Sequence, residues 1–495
     1  MKPAFLSIGL LLLGIGTALA YSPCEDPSLA GNEITNPARS ETAPATIICN
    51  AELATVSDDS AVVTWVTNKI SPSTVDCWAI DGSGCTKSSS PGVYHLVELT
   101  DLEPGKVYYY RIENGNDDGL PAPITQQSPG IFRTFDRAKL GRHLFDFASL
   151  NDMHVGEGVS GQLTSQAGQP IPPSFSTPDC DQKDPTGSCY WAIMNNGAVE
   201  GIRSRAVAFT IVKGDVTSEG GNPNVDSEGR QFDDAATILA PLGSVRPTRG
   251  NHDKSLSQFM SKILFRSAVF DPRSLPGYEA NDHSNDPDAH FDYAFDFRID
   301  NRRFRFIALD TWDNDHPPAG PAVGAGRITQ DQLDWTSAQL DAAERAEVKT
   351  FLYMHHPVSE IAIATAMPPL IFGIRQPDAA SFLETVGAHR SVVGVFSGHT
   401  HRNWITGSAL APGVPFVEVA ASKEYPGGYA IYKVFENGYL QSFYKCSTEA
   451  CLAWSEKTRG EYAGLYPLYT SQTGAQDGSF GYDFRTRKIL TAEIE

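Results

Sequence analysis

Short runs of alternating hydrophobic and polar residues, separated by turn residues, fill the first part of the chain between residues 44 and 136. One run covers residues 61–67 and places Trp65 among the hydrophobic positions, a second covers 93–99, and a turn and strand follow at 102–112. Successive side chains of a strand point to opposite faces, so this alternation indicates strands with one buried face. Their regular spacing predicts an all-β, antiparallel sandwich domain over residues 44–136.

The pattern changes after residue 136, where hydrophobic runs end abruptly in polar residues. The runs end near residues 150, 212, 245, 354 and 396, and stretches with helical periodicity cover 231–242 and 329–347. Strands that alternate with helices predict an α/β domain, here over residues 137–445. Ligands of such domains bind beyond the carboxyl ends of the strands, and a polar cluster follows each of these runs.

Five of the polar clusters carry side chains that can bind metals. They are Asn151-Asp152-Met153-His154, Gly214-Asp215, Gly250-Asn251-His252-Asp253, His355-His356-Pro357 and Gly398-His399-Thr400-His401. Imidazole and carboxylate ligands without cysteine suit iron, manganese or zinc. These clusters contain more candidate ligands than one metal ion binds, and the two oxygens of Asp215 can bridge a pair of ions. Two ions about 4 Å apart would clamp a phosphoryl group and activate water at neutral pH.

The order Asp-x-His, Gly-Asp, Gly-Asn-His, His and Gly-His-x-His, over residues 144–401, resembles the signature of the calcineurin-like metallophosphoesterase superfamily. The resemblance implies a four-layer α/β/β/α sandwich and hydrolysis of a phosphate ester by in-line attack of a metal-bridging hydroxide. The implied ligands are Asp152, His154 and His401 for a first metal, Asn251, His355 and His399 for a second, and Asp215 between them. Two divalent or trivalent ions of iron, manganese or zinc are therefore the expected cofactors.

Four residues beside these ligands are further candidates. By the same resemblance, His252 stabilises the transition state or protonates the leaving oxygen as a general acid. Asp253 is expected to orient His252, as carboxylates do for imidazoles around metals. His356 and Arg249 are weaker candidates for substrate binding. The alternatives are that His356 supports a ligand from behind and that Arg249 is solvated or ion-paired.

Two parts of the chain are similar to different branches of this superfamily. The stretch Leu-x-Pro-Gly-x-x-Tyr-x-Tyr at 102–110 resembles fibronectin type III domains and the amino-terminal domain of purple acid phosphatases. Those enzymes carry a tyrosine ligand where this chain has Ser218, and they lack the histidine present here as His154. The metal site is therefore more similar to the branch of cyclic-nucleotide and glycerophosphodiester phosphodiesterases.

The charge of the chain narrows the choice of partners. With 39 basic and 59 acidic residues, the formal net charge is −20, which disfavours a nucleic-acid binder and the basic groove of a nuclease. The same charge repels an anionic substrate, so bound cations have to reverse the field at the site. A small phosphorylated substrate is the expected partner, whereas the ester class and the oligomeric state do not follow from the sequence.

Several features indicate secretion, to the periplasm or the extracellular space. Residues 1–20 have the basic start, hydrophobic run and small-residue end of a signal peptide, and a polar linker follows at 21–43. An uncleaved anchor is the alternative, but the run is shorter than the roughly 20 residues of a spanning helix. No span is expected in the mature chain. The eight cysteines are typical of short-range disulfides, although their pairing stays open. Near neighbours in sequence are Cys24 and Cys49, Cys77 and Cys85, Cys180 and Cys189, and Cys446 and Cys451.

Other functions remain as alternatives to a phosphatase or phosphodiesterase. One is a catalytically silent binding protein that keeps the fold, against which the complete ligand set argues. Another is a nucleotidase or pyrophosphatase of the same superfamily, which needs a nucleoside pocket. Insertions at 156–205 and 271–290 are either lids over the metals or surface loops, and residues 446–495 are expected to form an extension packed on the catalytic domain.

Overall fold

The computed structural model describes most of the chain outside its termini and several loops. The described residues are 48–114, 129–161, 163–164, 170–171, 177, 180, 189–285, 289–312, 325–358, 373–461 and 478–491. The expected signal peptide at 1–20, the linker at 21–43 and parts of both insertions lie outside these residues. Within the described ranges, no helix combines the length and the apolar character that crossing a membrane requires.

The amino-terminal region consists of antiparallel strands. They are β1 (Ile48–Val56), β2 (Ala61–Ala79), β3 (Lys87–Leu99), β4 (Val107–Asn114) and β5 (Gly130–Arg133). The long strand β2 pairs with β1, β3 and β4, and β4 pairs with β5. Trp65 is buried in the core of this region, and a disulfide joins Cys77 to Cys85. The predicted all-β, antiparallel character of this region is confirmed.

His95 on β3 is a buried imidazole in this core. Its ring stacks on Trp65 with the centroids 4.9 Å apart, and its nitrogens lie 3.0 Å from Thr67 Oγ1 and 3.1 Å from Ser89 Oγ. Burial lowers the pKa of His95 to about 4, because apolar surroundings disfavour the charged ring. The ring is therefore neutral in the folded chain at pH values where it is charged in the unfolded chain.

We expect this buried ring to make folding less stable as the pH falls from about 6.5 to about 4. In this window the unfolded chain binds a proton that the folded chain excludes, which lowers the free energy of unfolding by up to about 3 kcal/mol. Other groups also titrate in this range, so the free energy of unfolding is compared between the wild type and His95→Gln. Both proteins are unfolded with denaturant at pH 7 and at pH 4.5, and the difference between them should change with pH. A difference that is the same at both pH values would contradict the prediction.

Two seven-stranded mixed sheets form the region that follows. In chain order the strands are β6 (His143–Leu150), β7 (Leu163–Thr164), β8 (Pro170–Ile171), β9 (Thr210–Lys213), β10 (Val245–Thr248), β11 (Glu279–Asp282), β12 (Phe291–Ile299), β13 (Arg302–Leu309), β14 (Lys349–Met354), β15 (Val392–Ser397), β16 (Trp404–Thr406), β17 (Phe416–Glu418), β18 (Gly428–Phe435), β19 (Gly438–Lys445), β20 (Phe480–Asp483) and β21 (Lys488–Leu490). The first sheet has the order β10-β9-β6-β18-β19-β20-β21, and the second has the order β11-β12-β13-β14-β15-β17-β16. Strands β7 and β8 belong to neither sheet and form a separate antiparallel pair. Strands β6, β9 and β10 are parallel to one another, as are β13, β14, β15 and β17.

Aromatic side chains fill the space between the two sheets. Phe147 of β6 and Phe209, which directly precedes β9, contact Phe306 of the second sheet, with ring centroids 5.3 and 5.1 Å apart. Phe351 lies 5.6 Å from Phe147 in the same layer, and all four rings are buried. Rings of this size span the roughly 10 Å between packed sheets. The layer therefore holds the strand ends of both sheets at one shared edge.

Helices cover the outer faces. They are α1 (Tyr190–Arg203), α2 (Arg230–Leu239), α3 (Leu256–Phe259), α4 (Gln330–Arg345), α5 (Asp378–Ala388) and α6 (Glu449–Thr458). Helix α1 packs on β18, and α4 packs on β13 and β14. The helix predicted at 329–347 begins at Gln330 because the Thr329 side chain accepts a hydrogen bond from the backbone N–H of Gln332. The expected four-layer α/β/β/α sandwich is confirmed.

The described residues beyond β19 contribute strands to the first sheet and a helix to the layer that covers it. Strand β20 pairs with β19 and β21 pairs with β20, while α6 packs against α1. Disulfides join Cys180 to Cys189 and Cys446 to Cys451, which agrees with the expected short-range bonds. Cys49 is also disulfide-bonded, whereas Cys24 lies outside the described residues. The domain boundaries themselves stay a prediction.

Candidate metal centre

The five polar clusters meet at one edge of the sandwich. Three of them follow β6, β9 and β10 of the first sheet, and two follow β14 and β15 of the second. Parallel strands present their carboxyl ends at the same edge, so residues far apart in sequence converge there. The seven side chains expected to bind metals all lie in this convergence, and we treat them as two sets that share Asp215. The first set is Asp152, His154 and His401, and the second set is Asn251, His355 and His399.

The second set converges on the Nε2 atom of His355. Asn251 Oδ1 and Asp215 Oδ2 each lie 3.0 Å from this nitrogen, and His399 Nδ1 lies 3.1 Å from it. Ligands at right angles around an ion, each about 2.1 Å from it, are roughly 3 Å apart. A second bond from His355 Nδ1 to the backbone oxygen of Lys213, at 2.8 Å, holds the ring so that Nε2 faces the other three. The spacing of these atoms therefore fits a common cation.

The first set surrounds the other side of Asp215. His401 Nε2 lies 3.3 Å from Asp152 Oδ1, and His154 Nε2 lies 3.6 Å from Asp215 Oδ2. The same Asp215 oxygen is thus close to a histidine of each set. A carboxylate in this position can contact two ions, which is the bridging role expected from the sequence.

Buried nitrogen atoms test whether a cation fits the first set. Both ring nitrogens of His154 are buried, and no hydrogen-bond partner for either is found among the described residues. Burial lowers the pKa of His154 well below its ordinary value, so the ring is neutral and can offer a lone pair. Burial opposes a charge on His401 too, but Glu424 and Asp152 raise its pKa to about 10. The residues present therefore fit a positively charged ligand.

The backbone at five of the seven positions is in the left-handed region. The φ angles are 51° at Asp152, 44° at His154, 48° at Asp215, 70° at His399 and 56° at His401. Non-glycine residues in this region cost of order 1–3 kcal/mol each, and such strain is concentrated at functional sites. The turns that carry the ligands are thus held by the surrounding structure at the expense of local strain.

Two glycines of the motifs are required by close packing against ligands. A Cβ atom at Gly398 would lie 2.6 Å from Asp152 Oδ2, and one at Gly250 would overlap Asp215 Oδ1. Each glycine therefore lets a neighbouring turn approach a carboxylate of the site. This explains, from packing, why glycine precedes Asn251 and His399.

His252 lies at the side of the first set. Its ring centroid is 4.6 Å from that of His154, and its backbone N–H donates to Asp215 Oδ1 over 2.7 Å. The ring Nδ1 is 2.7 Å from the backbone oxygen of Ser218. A carbonyl oxygen only accepts hydrogen bonds, so Nδ1 carries the hydrogen and Nε2 is the nitrogen that can exchange a proton.

The expected pairing of Asp253 with His252 is wrong. Asp253 is buried and accepts from the backbone N–H of Gly250 at 3.0 Å and from the N–H and Oγ1 of Thr217 at 3.0 and 2.7 Å. These bonds tie the turn after β9 to the turn after β10. The carboxylate points into the loops and away from the ring, and the Ser218 oxygen orients His252 instead.

The two weaker substrate-binding candidates both lie in the interior. Arg249 is only 1 % exposed, and its guanidinium forms an ion pair of 3.0 Å with Asp310, so its charge is paired in the interior. His356 is fully buried, with Nδ1 2.8 Å from Thr311 Oγ1 and its ring 4.6 Å from that of His399. Arg249 is thus ion-paired and His356 packs beside His399, which agrees with the alternatives that the sequence left open.

Two charged residues at the site, Lys254 and Glu424, were not among the candidates predicted from the sequence. Lys254 Nζ donates to the backbone oxygen of Asn251 at 2.8 Å and lies 5.3 Å from the ring centroid of Trp312. Glu424 Oε1 lies 2.6 Å from His401 Nδ1. Lys254 directly follows the Gly-Asn-His-Asp motif and could have been noticed there, whereas no motif surrounds Glu424.

The family model of calcineurin-like phosphoesterases matches residues 147–403, which contain all the clusters described above. The chain belongs to the calcineurin-like phosphoesterase family. It is therefore a metal-dependent phosphoric ester hydrolase, and members of the family use a dinuclear metal centre. The fold and the resemblance expected from the sequence are both confirmed.

Solved structures with a similar fold include two phosphatases. A dimetal phosphatase from Danio rerio is 17% identical, with 61% of this chain and 96% of that chain covered and a TM-score of 0.45. A purple acid phosphatase from yellow lupin, Lupinus luteus, is 13% identical, with 81% of this chain and 72% of that chain covered and a TM-score of 0.35. A comparison with curated proteins gives no match.

Proposed function

We propose that this calcineurin-like phosphoesterase is a secreted enzyme with two metal ions that hydrolyses small phosphate monoesters or diesters. The observation that carries the proposal is the position of Asp215 between the two sets. Its Oδ2 atom lies 3.0 Å from His355 Nε2 on one side and 3.6 Å from His154 Nε2 on the other. One carboxylate shared by two groups of ligands is what a pair of adjacent cations requires.

The proposed assignment of ligands to the two ions follows the resemblance. We propose that Asp152, His154 and His401 hold one ion, that Asn251, His355 and His399 hold the other, and that Asp215 contacts both. When bound, such ions supply an activated water and the positive charge that stabilises the reacting phosphoryl group. The choice among iron, manganese and zinc is left to measurement.

The remaining steps are assigned to side chains of this chain. We propose that His252 transfers a proton at Nε2 to the leaving oxygen, since its Nδ1 is held by the Ser218 oxygen. Lys254 would add a positive charge beside Asn251, which matters in a chain with a formal charge of −20. Asp253 would keep the turns after β9 and β10 together, so that Asp215 and Asn251 stay in place.

Secretion is supported by the disulfides and by the signal-like sequence at 1–20. The three disulfides between described cysteines join residues that are 8, 9 and 5 positions apart. Such bonds form and persist in oxidising compartments.

Removal of metal tests the proposed function. We expect the mature chain, expressed from Tyr21, to contain about two metal ions and to hydrolyse p-nitrophenyl phosphate or bis-p-nitrophenyl phosphate. Chelation should abolish hydrolysis and metal addition should restore it, because both the nucleophile and the charge stabilisation depend on the ions. The ratio of the two rates assigns the enzyme as a monoesterase or a diesterase. Hydrolysis that persists in metal-free protein would contradict the proposal.

A further inference from the structure

A buried carboxylate lies directly behind one ligand of the first set. Glu424, in the loop between β17 and β18, is fully buried, and its Oε1 is 2.6 Å from His401 Nδ1. The opposite nitrogen of the same ring, Nε2, is 3.3 Å from Asp152 Oδ1. When a metal ion takes the place of the proton on Nε2, the bond to Glu424 would keep the hydrogen on Nδ1 and direct the lone pair of Nε2 toward the other ligands.

A hydroxyl group and an ammonium group are among the neighbours that keep the Glu424 carboxylate in this position. Ser160 Oγ donates to Oε2 over 2.8 Å, and Lys423 Nζ lies 3.3 Å from the same oxygen. Lys423 is itself buried and also forms an ion pair of 2.5 Å with Glu157. The cost of burying the Glu424 charge is thus offset by a cation and a hydroxyl donor.

The same group of side chains connects the first set to two peripheral parts of the chain. Glu157 and Ser160 belong to the 156–205 insertion, where Tyr190 at the start of α1 donates to Glu157 over 2.6 Å. On the other side, Trp454 of α6 donates to the backbone oxygen of Lys423 at 2.8 Å. The insertion and the carboxyl-terminal helix therefore both support the segment that carries Glu424.

A purely structural role, in which this group only fastens α6 to the insertion, is the alternative. Buried ion pairs contribute little to stability compared with apolar packing, so stability is a weak reason to place three charges here. A carboxylate on the outer nitrogen of a ligating histidine raises the basicity of the ring and fixes its orientation. The geometry at His401 has this arrangement, and the structural role does not require it.

We propose that Glu424 is a positioning residue that holds His401 in the orientation needed to bind the first metal, with Ser160 and Lys423 keeping its carboxylate in place. This inference rests on the proposed dinuclear centre. It extends the site beyond the motif residues to a loop, the insertion and α6. Glu424 acts through His401 and does not contact the substrate.

The test compares metal binding by Glu424→Gln with that by Glu461→Gln. Glu461 is a matched control because it is buried beside Glu424 and also accepts from Ser160 Oγ, at 3.1 Å. Burial and the neighbouring Glu424 charge raise the pKa of Glu461 well above its ordinary value, so its substitution by glutamine exchanges one neutral group for another. Metal affinity is measured by competition with a chromophoric chelator, and the fold by near-UV circular dichroism. We expect Glu424→Gln to bind one of its two ions roughly 10- to 100-fold more weakly and Glu461→Gln to bind both as the wild type does. Excess metal should restore hydrolysis by Glu424→Gln.

The other outcomes distinguish an error in the role of Glu424 from an error in the proposed function. If both variants bind two ions with wild-type affinity, or lose affinity equally, the role of Glu424 is wrong. If Glu424→Gln does not fold, Ser160→Ala serves instead, and unchanged metal affinity in that variant contradicts the inference. If the wild-type chain itself binds fewer than two ions, the proposed function fails first, which separates the two hypotheses.

Discussion

Asp215→Asn is expected to lower kcat/KM by roughly 1000-fold or more and to leave the purified chain with fewer than two bound ions. The substitution keeps the shape of a buried side chain and the acceptor for the His252 N–H, but it removes the charge that lies between the two sets. Losing this charge costs several kcal/mol of transition-state stabilisation, and about 4 kcal/mol corresponds to this change in rate. Elemental analysis and the rate with p-nitrophenyl phosphate measure both effects.

A control distinguishes the loss of a ligand from the loss of any buried carboxylate. Asp292 is also fully buried, and it accepts from the N–H of Asp310 at 2.8 Å, in a part of the second sheet outside both sets. Asp292→Asn should keep two ions and hydrolysis within a few-fold of wild type. The shared-ligand role of Asp215 is refuted if Asp215→Asn retains two ions and more than a tenth of the wild-type rate.

His252→Ala is expected to lower kcat by about 100-fold or more while the metal content stays unchanged. The effect should be greater for an alkyl phosphate than for p-nitrophenyl phosphate, because an alkoxide needs a proton more than nitrophenolate does. The measurement is kcat for both substrates, with bound metal determined on the same samples. His389→Asn is the control, since His389 bonds to the Thr385 backbone oxygen at the end of α5.

The two substrates separate the roles that the sequence left open for His252. A loss that is equal for both substrates would exclude proton transfer to the leaving oxygen and leave charge stabilisation in the transition state. A loss of metal in His252→Ala would mean that this residue acts as a ligand, which its position near His154 and Asp215 allows. A rate within a few-fold of wild type for both substrates would remove His252 from the mechanism.

Residues at strand ends were the part of the site that could be predicted from the chain alone. A hydrophobic run that stops at Asn151-Asp152 or at Gly398-His399 specifies a strand and the polar turn after it, and both are local properties. The glycines of these motifs could also be read from the sequence, and in the structure they let a turn approach a carboxylate of the site. The order of the motifs then indicated the family, which the match over residues 147–403 confirms.

Side-chain direction was where prediction from sequence failed. Asp253 follows His252 directly, yet it bonds to Gly250 and Thr217, because its turn directs the carboxylate into the loops. For Arg249, which lies two residues before Asn251, the sequence left an ion pair open, and the structure pairs it with Asp310 in the interior. Adjacency along the chain does not determine which way a side chain points from a tight turn, since φ and ψ of each residue redirect the next one.

The amino-acid sequence determined the fold class, the family, and the seven candidate ligands, because each depends on periodicity or on motifs of a few neighbouring residues. Only the tertiary structure decided that Asp215 lies between the two sets and that Glu424 lies within hydrogen-bond distance of His401. It also decided that Lys254 lies beside Asn251 and that the insertion and α6 meet behind the first set. These contacts join segments from different sheets and loops. They form because the aromatic layer between the sheets brings the strand ends to one edge.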